Sequence, residues 1–235
     1  MKHTLLIKDW LSSFLSLLFP RCCVVCGRPL AKGEECICTV CNINLPRTNY
    51  HLRKDNPVER LFWGQIPLER ATSFFFYEKG SDFRLILHRL KYGGQKEIGA
   101  IMGRYMAAEL LSSNFFQGID VIIPIPLHKK KQQIRGYNQS EWIARGIAAV
   151  TGIPIDTDSI LRKKNTETQT CKSVFERRDN VEGIFELQHP ETLAGKHILI
   201  VDDVLTTGST TLACASCLVD VEDIRISILT LATVE

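Results

Sequence analysis

From about residue 73 onward, short apolar runs alternate with stretches in which apolar residues recur every three or four positions. The runs read as strands and the wider spacing as helices, because side chains repeat every 2 residues on a strand face and every 3.6 on a helix. Thr72 to Tyr77 is β-branched and aromatic and predicts a strand. Phe83 to Tyr92 and Glu97 to Leu111 predict helices. Asp120 to Pro126 (DVIIPIP) predicts a short buried strand, Gln139 to Val150 a helix, and Ile153 to Ile155 another short strand. His197 to Val201 (HILIV) predicts a central strand, Ser209 to Leu218 a helix, and Ile224 to Leu231 a closing strand. Such alternation predicts an α/β fold with a parallel sheet core. Residues 156–182 are polar, charged and aperiodic, and predict a long loop.

Upstream the pattern changes. In residues 1–20, Leu5, Trp10, Phe14, Leu17 and Leu18 suit one face of an amphipathic helix, which Pro20 stops. Lys8 and Asp9 interrupt its apolar run, which is too short for a transmembrane span. Phe19-Pro20-Arg21 stands where an export signal would carry small residues for cleavage. The expectation is a cytoplasmic chain with this helix docked on it. Residues 21–45 are rich in cysteine. Residues 46–72, with Pro46, Pro57 and Pro67, read as a connection, and residues 73–235 as the α/β domain.

Composition adds bounds. The 235 residues suffice for one such domain and a small appendage. With 45% hydrophobic and 23% charged residues, long disorder is excluded as the default. A net charge of +3, from 29 basic and 26 acidic residues, is too small to imply nucleic acid unless the charge is clustered.

Six of the 9 cysteines lie in the first 41 residues: Cys22, Cys23, Cys26, Cys36, Cys38 and Cys41. Clustering and an odd total favour a metal site in a reducing compartment over a disulfide framework. Cys23-Val24-Val25-Cys26 and Cys38-Thr39-Val40-Cys41 form two CxxC knuckles, the tetrahedral thiolate set of structural Zn2+. The spacer between them is shorter than the usual roughly 15–20 residues, yet long enough for a hairpin. A redox CxxC normally stands alone at a helix start. Cys22 and Cys36 fall outside the paired spacing. Four thiolates leave no open coordination position, so the metal folds this module and does no chemistry. On that reading, chelation unfolds residues 21–45 and leaves the α/β core standing.

The densest chemical signal is HILIVDDVLTTGSTTL, residues 197–212. A buried strand runs into Asp202 and Asp203, then into Thr206-Thr207-Gly208-Ser209-Thr210 and a helix. Ligands of α/β sheets bind at such strand ends. Hydroxyls and the backbone N–H groups of a helix start can wrap a phosphate, and carboxylates can accept from a vicinal diol. A ligand with a phosphate close to a ribose diol fits both halves. The ATPase alternative lacks its GxxxxGK[ST] loop. A merely structural turn leaves two costly carboxylates at a buried strand end. Farther upstream, Pro124-Ile125-Pro126-Leu127-His128 leads into Lys129, Lys130, Lys131 and Arg135, then Gly136-Tyr137-Asn138-Gln139. On charge alone this segment reads as a solvated basic loop, a pyrophosphate loop or a patch for nucleic-acid phosphates.

VDDVLTTGST resembles the motif of type I phosphoribosyltransferases that binds phosphoribosyl pyrophosphate (PRPP). The combination of IPIPLH with RGYNQS resembles the ComF family, also called the competence or GntX-like family. LFPRCCVVCG, LHRLKYGGQKEIG (residues 87–99) and TQTCKSVFERRDNVEGIF (168–185) are similar to further family segments. The resemblance covers nearly the whole chain. It implies a type I phosphoribosyltransferase fold preceded by a four-cysteine zinc ribbon. It implies that Asp202 and Asp203 hold the ribose hydroxyls and that Thr206, Thr207, Gly208, Ser209 and Thr210 hold the 5-phosphate. Mg2+ would accompany the pyrophosphate, with Pro126, Leu127, His128, Lys129, Arg135, Gly136, Lys91 and Arg177 around the anion and the 156–182 loop as a lid. It also implies a role in DNA uptake, with single-stranded DNA and the uptake machinery as partners. Lys129 to Lys131, Arg135 and Tyr137 offer a basic and aromatic mixture for such a strand. The alternative is a metabolic phosphoribosyltransferase acting on a base or amine. No general base is assignable. The departures are Cys22, Cys36 and a lysine-rich loop where arginine is more usual; lysine is a point charge and arginine a fork.

Overall fold

The computed structural model describes residues 20–163 and 183–234. The amphipathic helix expected in residues 1–20, all but Pro20, lies outside the described residues, as do Arg177 and most of the expected lid. The strands are β1 (Leu68–Phe76), β2 (Val121–Pro124), β3 (Ile160–Arg162), β4 (Phe185–Leu187), β5 (His197–Leu205) and β6 (Arg225–Thr233). The main sheet has the order β1-β6-β5-β2 and every pairing in it is parallel. Parallel strands need long crossovers, and the helices supply them. They are α1 (Thr39–Ile43), α2 (Pro57–Arg60), α3 (Arg84–Tyr92), α4 (Glu97–Leu110), α5 (Lys129–Arg135), α6 (Gln139–Thr151) and α7 (Ser209–Ser216).

Both faces of the sheet are covered, which is why β5 is apolar without alternation through Val201. Leu199 and Val201 face α4 and α6, packing with Met102, Met106, Ile143 and Ile147. Ile198 and Ile200 face the opposite layer, with Ala213, Cys214 and Leu218 of the α7 segment and Phe62. Helices α4 and α6 touch backbone to backbone. A Cβ on Gly103 would collide with the carbonyl of Ile143, and one on Gly146 with that of Ala100.

Several boundaries differ from the sequence expectation. Strand β1 begins at Leu68, inside the stretch read as a connection, because β6 pairs with it from Ile226. The outer edge of β1 is covered by residues 46–56: Thr48 N donates to Phe74 O (3.1 Å), Phe76 N to Pro46 O (2.8 Å) and Asn56 Nδ2 to Ala71 O (2.9 Å). The strand expected at Ile153 to Ile155 shrinks to a single bridge, Ile122 to Ile155. Pro154 accepts from Ile122 N (2.9 Å) but has no N–H with which to extend a ladder. The expected loop 156–182 holds a strand in its described part, since β3 pairs antiparallel with β4. Strand β5 does not stop at Val201. It runs through both aspartates, with Asp202 opposite Thr230 and Val204 opposite Ala232, so pairing with β6 outweighs the poor strand propensity of aspartate.

The cysteine module is not a separate lobe. Val24, Ile37 and Leu45 share one hydrophobic cluster with Met102, Met106 and Leu110 of α4. Cys36 Sγ lies 3.9 Å from Met102 Sδ. Arg47 Nε bonds Glu109 Oε2 at 2.7 Å, and Glu35 pairs with Arg104.

Candidate functional site

The C-terminal ends of β2 and β5 lie side by side, with Pro124 opposite Val201 and Ile125 N donating to Val201 O at 2.9 Å. Three segments therefore open at one sheet edge: the loop after β2, the aspartates of β5, and the turn from β5 into α7.

Asp202 and Asp203 point to opposite sides of their strand. The Asp202 Oδ1 accepts from Ser140 Oγ (2.9 Å) and from Asp203 N (2.8 Å). The Asp203 Oδ2 lies 3.1 Å from Lys91 Nζ, an ion pair joining the end of α3 to β5. Burial, and then the neighbouring Asp203 charge, push the Asp202 pKa up to about 7, against hydrogen bonds and Lys91 that pull it down. Arg162, on β3, lies over the Phe185 ring at 5.2 Å. Burial lowers its pKa, while the charge of Asp202 works to raise it.

The turn 206–209 is shaped by Gly208, whose φ of 74° is left-handed and which caps α7. Thr207 and Ser209 hydroxyls meet at 2.9 Å, and Thr206, Thr207 and Thr210 face solvent. The first-turn N–H groups of α7 thus open beside the acidic pair, together with a ring of hydroxyls. Under the turn sits Phe62, fully buried, 3.4 Å from where a Cβ on Gly208 would stand.

The wall after β2 is less loop-like than its sequence. Lys129, Lys130, Lys131 and Arg135 lie on α5, capped by His128 Nδ1 accepting from Lys130 N (3.2 Å) and closed by left-handed Gly136. The run KKKQQIR has good helix formers throughout, and clustered charge had masked that. Pro126, Leu127 and His128 are half-buried between β2 and α5. Asn138 caps α6 and donates from Nδ2 to Ile125 O at 3.0 Å, tying this wall to the start of the helix that carries Ser140. Tyr137 is no stacking platform. It is buried, with its hydroxyl donating to Leu90 O at 2.5 Å, so the aromatic part of the expected strand-binding mixture fails at that residue.

In the cysteine module, the sulfurs of Cys23, Cys26, Cys38 and Cys41 all lie within 4.8 Å of one another, close enough to share one metal ion. Cys22 is exposed and donates to Pro20 O, and Cys36 turns into the core. Burial pushes the Cys36 thiol up to about 12. Left-handed Gly27 makes the first knuckle, donating to Cys23 O at 2.9 Å. The N–H groups of Cys38 and Cys41 point at the sulfurs of Cys23 (3.3 Å) and Cys38 (3.5 Å). Burial alone would raise the Cys23 pKa, yet the N–H groups of Cys26, Cys38 and Val25 outweigh it and bring it to about 7. Burial raises Cys41.

Sequence reasoning missed Ser140, Phe62 and Arg162. Ser140 stood inside RGYNQS, and a hydroxyl in the first turn of a helix after a basic segment was the available signal. Nothing local marks Phe62 or Arg162, whose relation to the site is made by folding.

No family model matches the chain. It is 32% identical to the DNA utilization protein YhgH of Escherichia coli O157:H7, over 83% of this chain and 88% of the relative. It is 25% identical to competence protein ComFC of Bacillus subtilis, over 90% and 83%. It is 31% identical to competence protein F of Haemophilus influenzae, over 54% and 57%. Among solved structures, glutamine PRPP amidotransferase from B. subtilis superposes with a TM-score of 0.36 at 20% identity, over 58% of this chain and 26% of that one. Adenine phosphoribosyltransferase from Leishmania tarentolae superposes with a TM-score of 0.36 at 12% identity, over 80% and 94%.

Proposed function

The chain belongs to the family of the DNA utilization protein YhgH and the ComF competence proteins, and from that premise we propose that it is a PRPP-binding, phosphoribosyltransferase-type protein of cytoplasmic DNA utilisation. One observation carries the reading: an acidic pair and an anion-binding turn open side by side at the end of β5. Carboxylates accept from hydroxyls but repel phosphates, whereas a helix start with exposed hydroxyls attracts them. A ligand satisfying both must place a diol a few bonds from a phosphate.

In this reading the 2- and 3-hydroxyls of the ribose donate to Asp202 and Asp203. Lys91 leaves Asp203 as the diol arrives and turns its charge to the pyrophosphate. Thr206, Thr207, Ser209 and Thr210, with the N–H groups from Gly208 onward, hold the 5-phosphate. Pro126 to Lys129, Arg135 and Gly136 border the pyrophosphate side. Asp202 and Asp203 offer oxygen donors that would suit a hard cation, and a Mg2+ held there would offset part of the pyrophosphate charge. The four thiols suit Zn2+. A tetrahedron with Zn–S of about 2.3 Å has edges of about 3.8 Å, and Cys26 Sγ lies 3.8 Å from Cys38 Sγ. Among the described residues no helix is long and apolar enough to cross a membrane.

Calorimetric titration with PRPP and Mg2+, alongside an assay for released pyrophosphate, tests the reading. Binding is expected for the parent chain and its loss for Asp202→Asn with Asp203→Asn. Unchanged affinity in that variant would sink the site assignment. Pyrophosphate release on adding a base or amine would make the protein a transferase.

A further inference from the structure

The start of α6 buries three polar side chains in a row. Asn138, Gln139 and Ser140 are 8%, 2% and 4% exposed. A helix turns about 100° per residue, so consecutive side chains face different directions, and on an amphipathic helix at least one normally meets water. Here all three are covered, because three walls of the candidate site converge on this turn. Asn138 Nδ2 donates to Ile125 O at 3.0 Å, in the loop after β2. Ser140 Oγ donates to Asp202 Oδ1 at 2.9 Å, on β5. Gln139 Oε1 accepts from Arg135 Nη1 at 2.7 Å, at the end of α5, and its Nε2 donates to Tyr137 O at 3.4 Å. A guanidinium has only donors, so it fixes which end of the Gln139 amide faces it.

Capping the helix needs only Asn138, whose side chain accepts from Ser140 N at 3.2 Å. Gln139 and Ser140 add nothing to the cap, and burying a polar group is costly unless its bond serves something. Each bond restrains one charged group. Ser140 Oγ and Asp203 N, at 2.9 and 2.8 Å, both engage Oδ1 of Asp202, which sets the plane of the carboxylate and the direction of Oδ2. Arg135 is long, and ordering its rotamers costs entropy. Gln139 holds its guanidinium from one side and the Tyr92 ring, 5.6 Å away, from another, and the planar fork has further donors for an anion. We propose that Ser140 and Gln139 are positioning residues with divided duties: Ser140 acts through Asp202 on the sugar, and Gln139 acts through Arg135 on the pyrophosphate. The proposal rests on the sugar-phosphate reading above and deepens it. One helical turn then sets the separation of the two ends of the ligand.

The test is calorimetry of the full chain with PRPP, ribose 5-phosphate and inorganic pyrophosphate, all in one Mg2+ buffer. Ribose 5-phosphate carries the diol without the pyrophosphate, and pyrophosphate is the converse. Ser140→Ala nearly keeps the side-chain volume and removes the donor. It should weaken PRPP and ribose 5-phosphate about tenfold each and leave pyrophosphate as in the parent. Gln139→Met keeps the length and removes the acceptor. It should weaken PRPP and pyrophosphate about tenfold each and leave ribose 5-phosphate as in the parent. The ligand that each variant still holds shows that it is folded. A merely structural role would weaken all three ligands in parallel. That outcome, or parent-like PRPP affinity in either variant, would overturn the proposal. A parent chain that binds PRPP while the crossed pattern is missing sinks this inference alone. A parent chain that holds none of the three ligands sinks the sugar-phosphate reading, and this inference with it.

Discussion

Asp202 is held against its own preference. Its carboxyl normally titrates near 3.8 and here is raised to about 7, by burial and by Asp203. A raised folded-state pKa means the folded chain keeps a proton that the unfolded chain has released. The stabilisation is therefore full at low pH and is lost as pH climbs from about 4 through about 7. Asp202→Asn removes the titration while still accepting from Ser140. The variant should be more stable than the parent above about pH 7, by on the order of 1 kcal/mol or more, and the gap should close on acidification. Melting temperatures across that range check it, and a gap that does not change with pH would count against the raised pKa. Gly208 is constrained differently. An alanine there meets a left-handed φ of 74° and the ring of Phe62. Gly208→Ala should lose about 1–2 kcal/mol of stability and at least about tenfold in PRPP affinity, read by denaturant unfolding and calorimetry.

The packing of α4 on α6 sets where Ser140 stands, because α6 carries it in its first turn. That packing is possible only with glycine at the crossing. Gly146→Ala forces the two helices apart and should cost about 1–3 kcal/mol. It should also weaken PRPP binding, since Ser140 moves with the helix. An unchanged denaturant midpoint would show that the crossing tolerates a methyl group. At the same scale, α2 and the turn after it, which looked like mere connection in the sequence, place Phe62 beneath the turn at Gly208.

Across the whole molecule, the cysteine module and the sheet share one core, and this reverses the expectation that chelation would unfold the module alone. With a metal on the four thiols, its removal would withdraw Val24, Ile37 and Cys36 from α4, and α4 supports α6 and the sheet. A chelator added to reduced protein should therefore lower one common melting transition, visible both in far-ultraviolet dichroism and in tryptophan emission. Two separate transitions, with the α/β part unmoved, would restore the independent module.

Period and chemistry were legible without tertiary structure. Apolar spacing marked the helices α3, α4 and α6, the parallel sheet followed from their alternation with apolar runs, and the two CxxC pairs singled out the four thiols now found together. The acidic pair and the turn after it stood out because costly residues sit at the end of a buried strand. These features depend on neighbours within a few positions, which is the range over which a sequence shows its own pattern. Contacts between distant segments were decided only by folding. Strand β3 finds its partner at Phe185–Leu187, β5 extends through its aspartates because β6 lies alongside, and Tyr137 is buried because Leu90 offers it a carbonyl. Tyr92 is left outside, next to Arg135. In each case burial and pairing with remote groups outweighed local propensity, and no window of the sequence contains both partners.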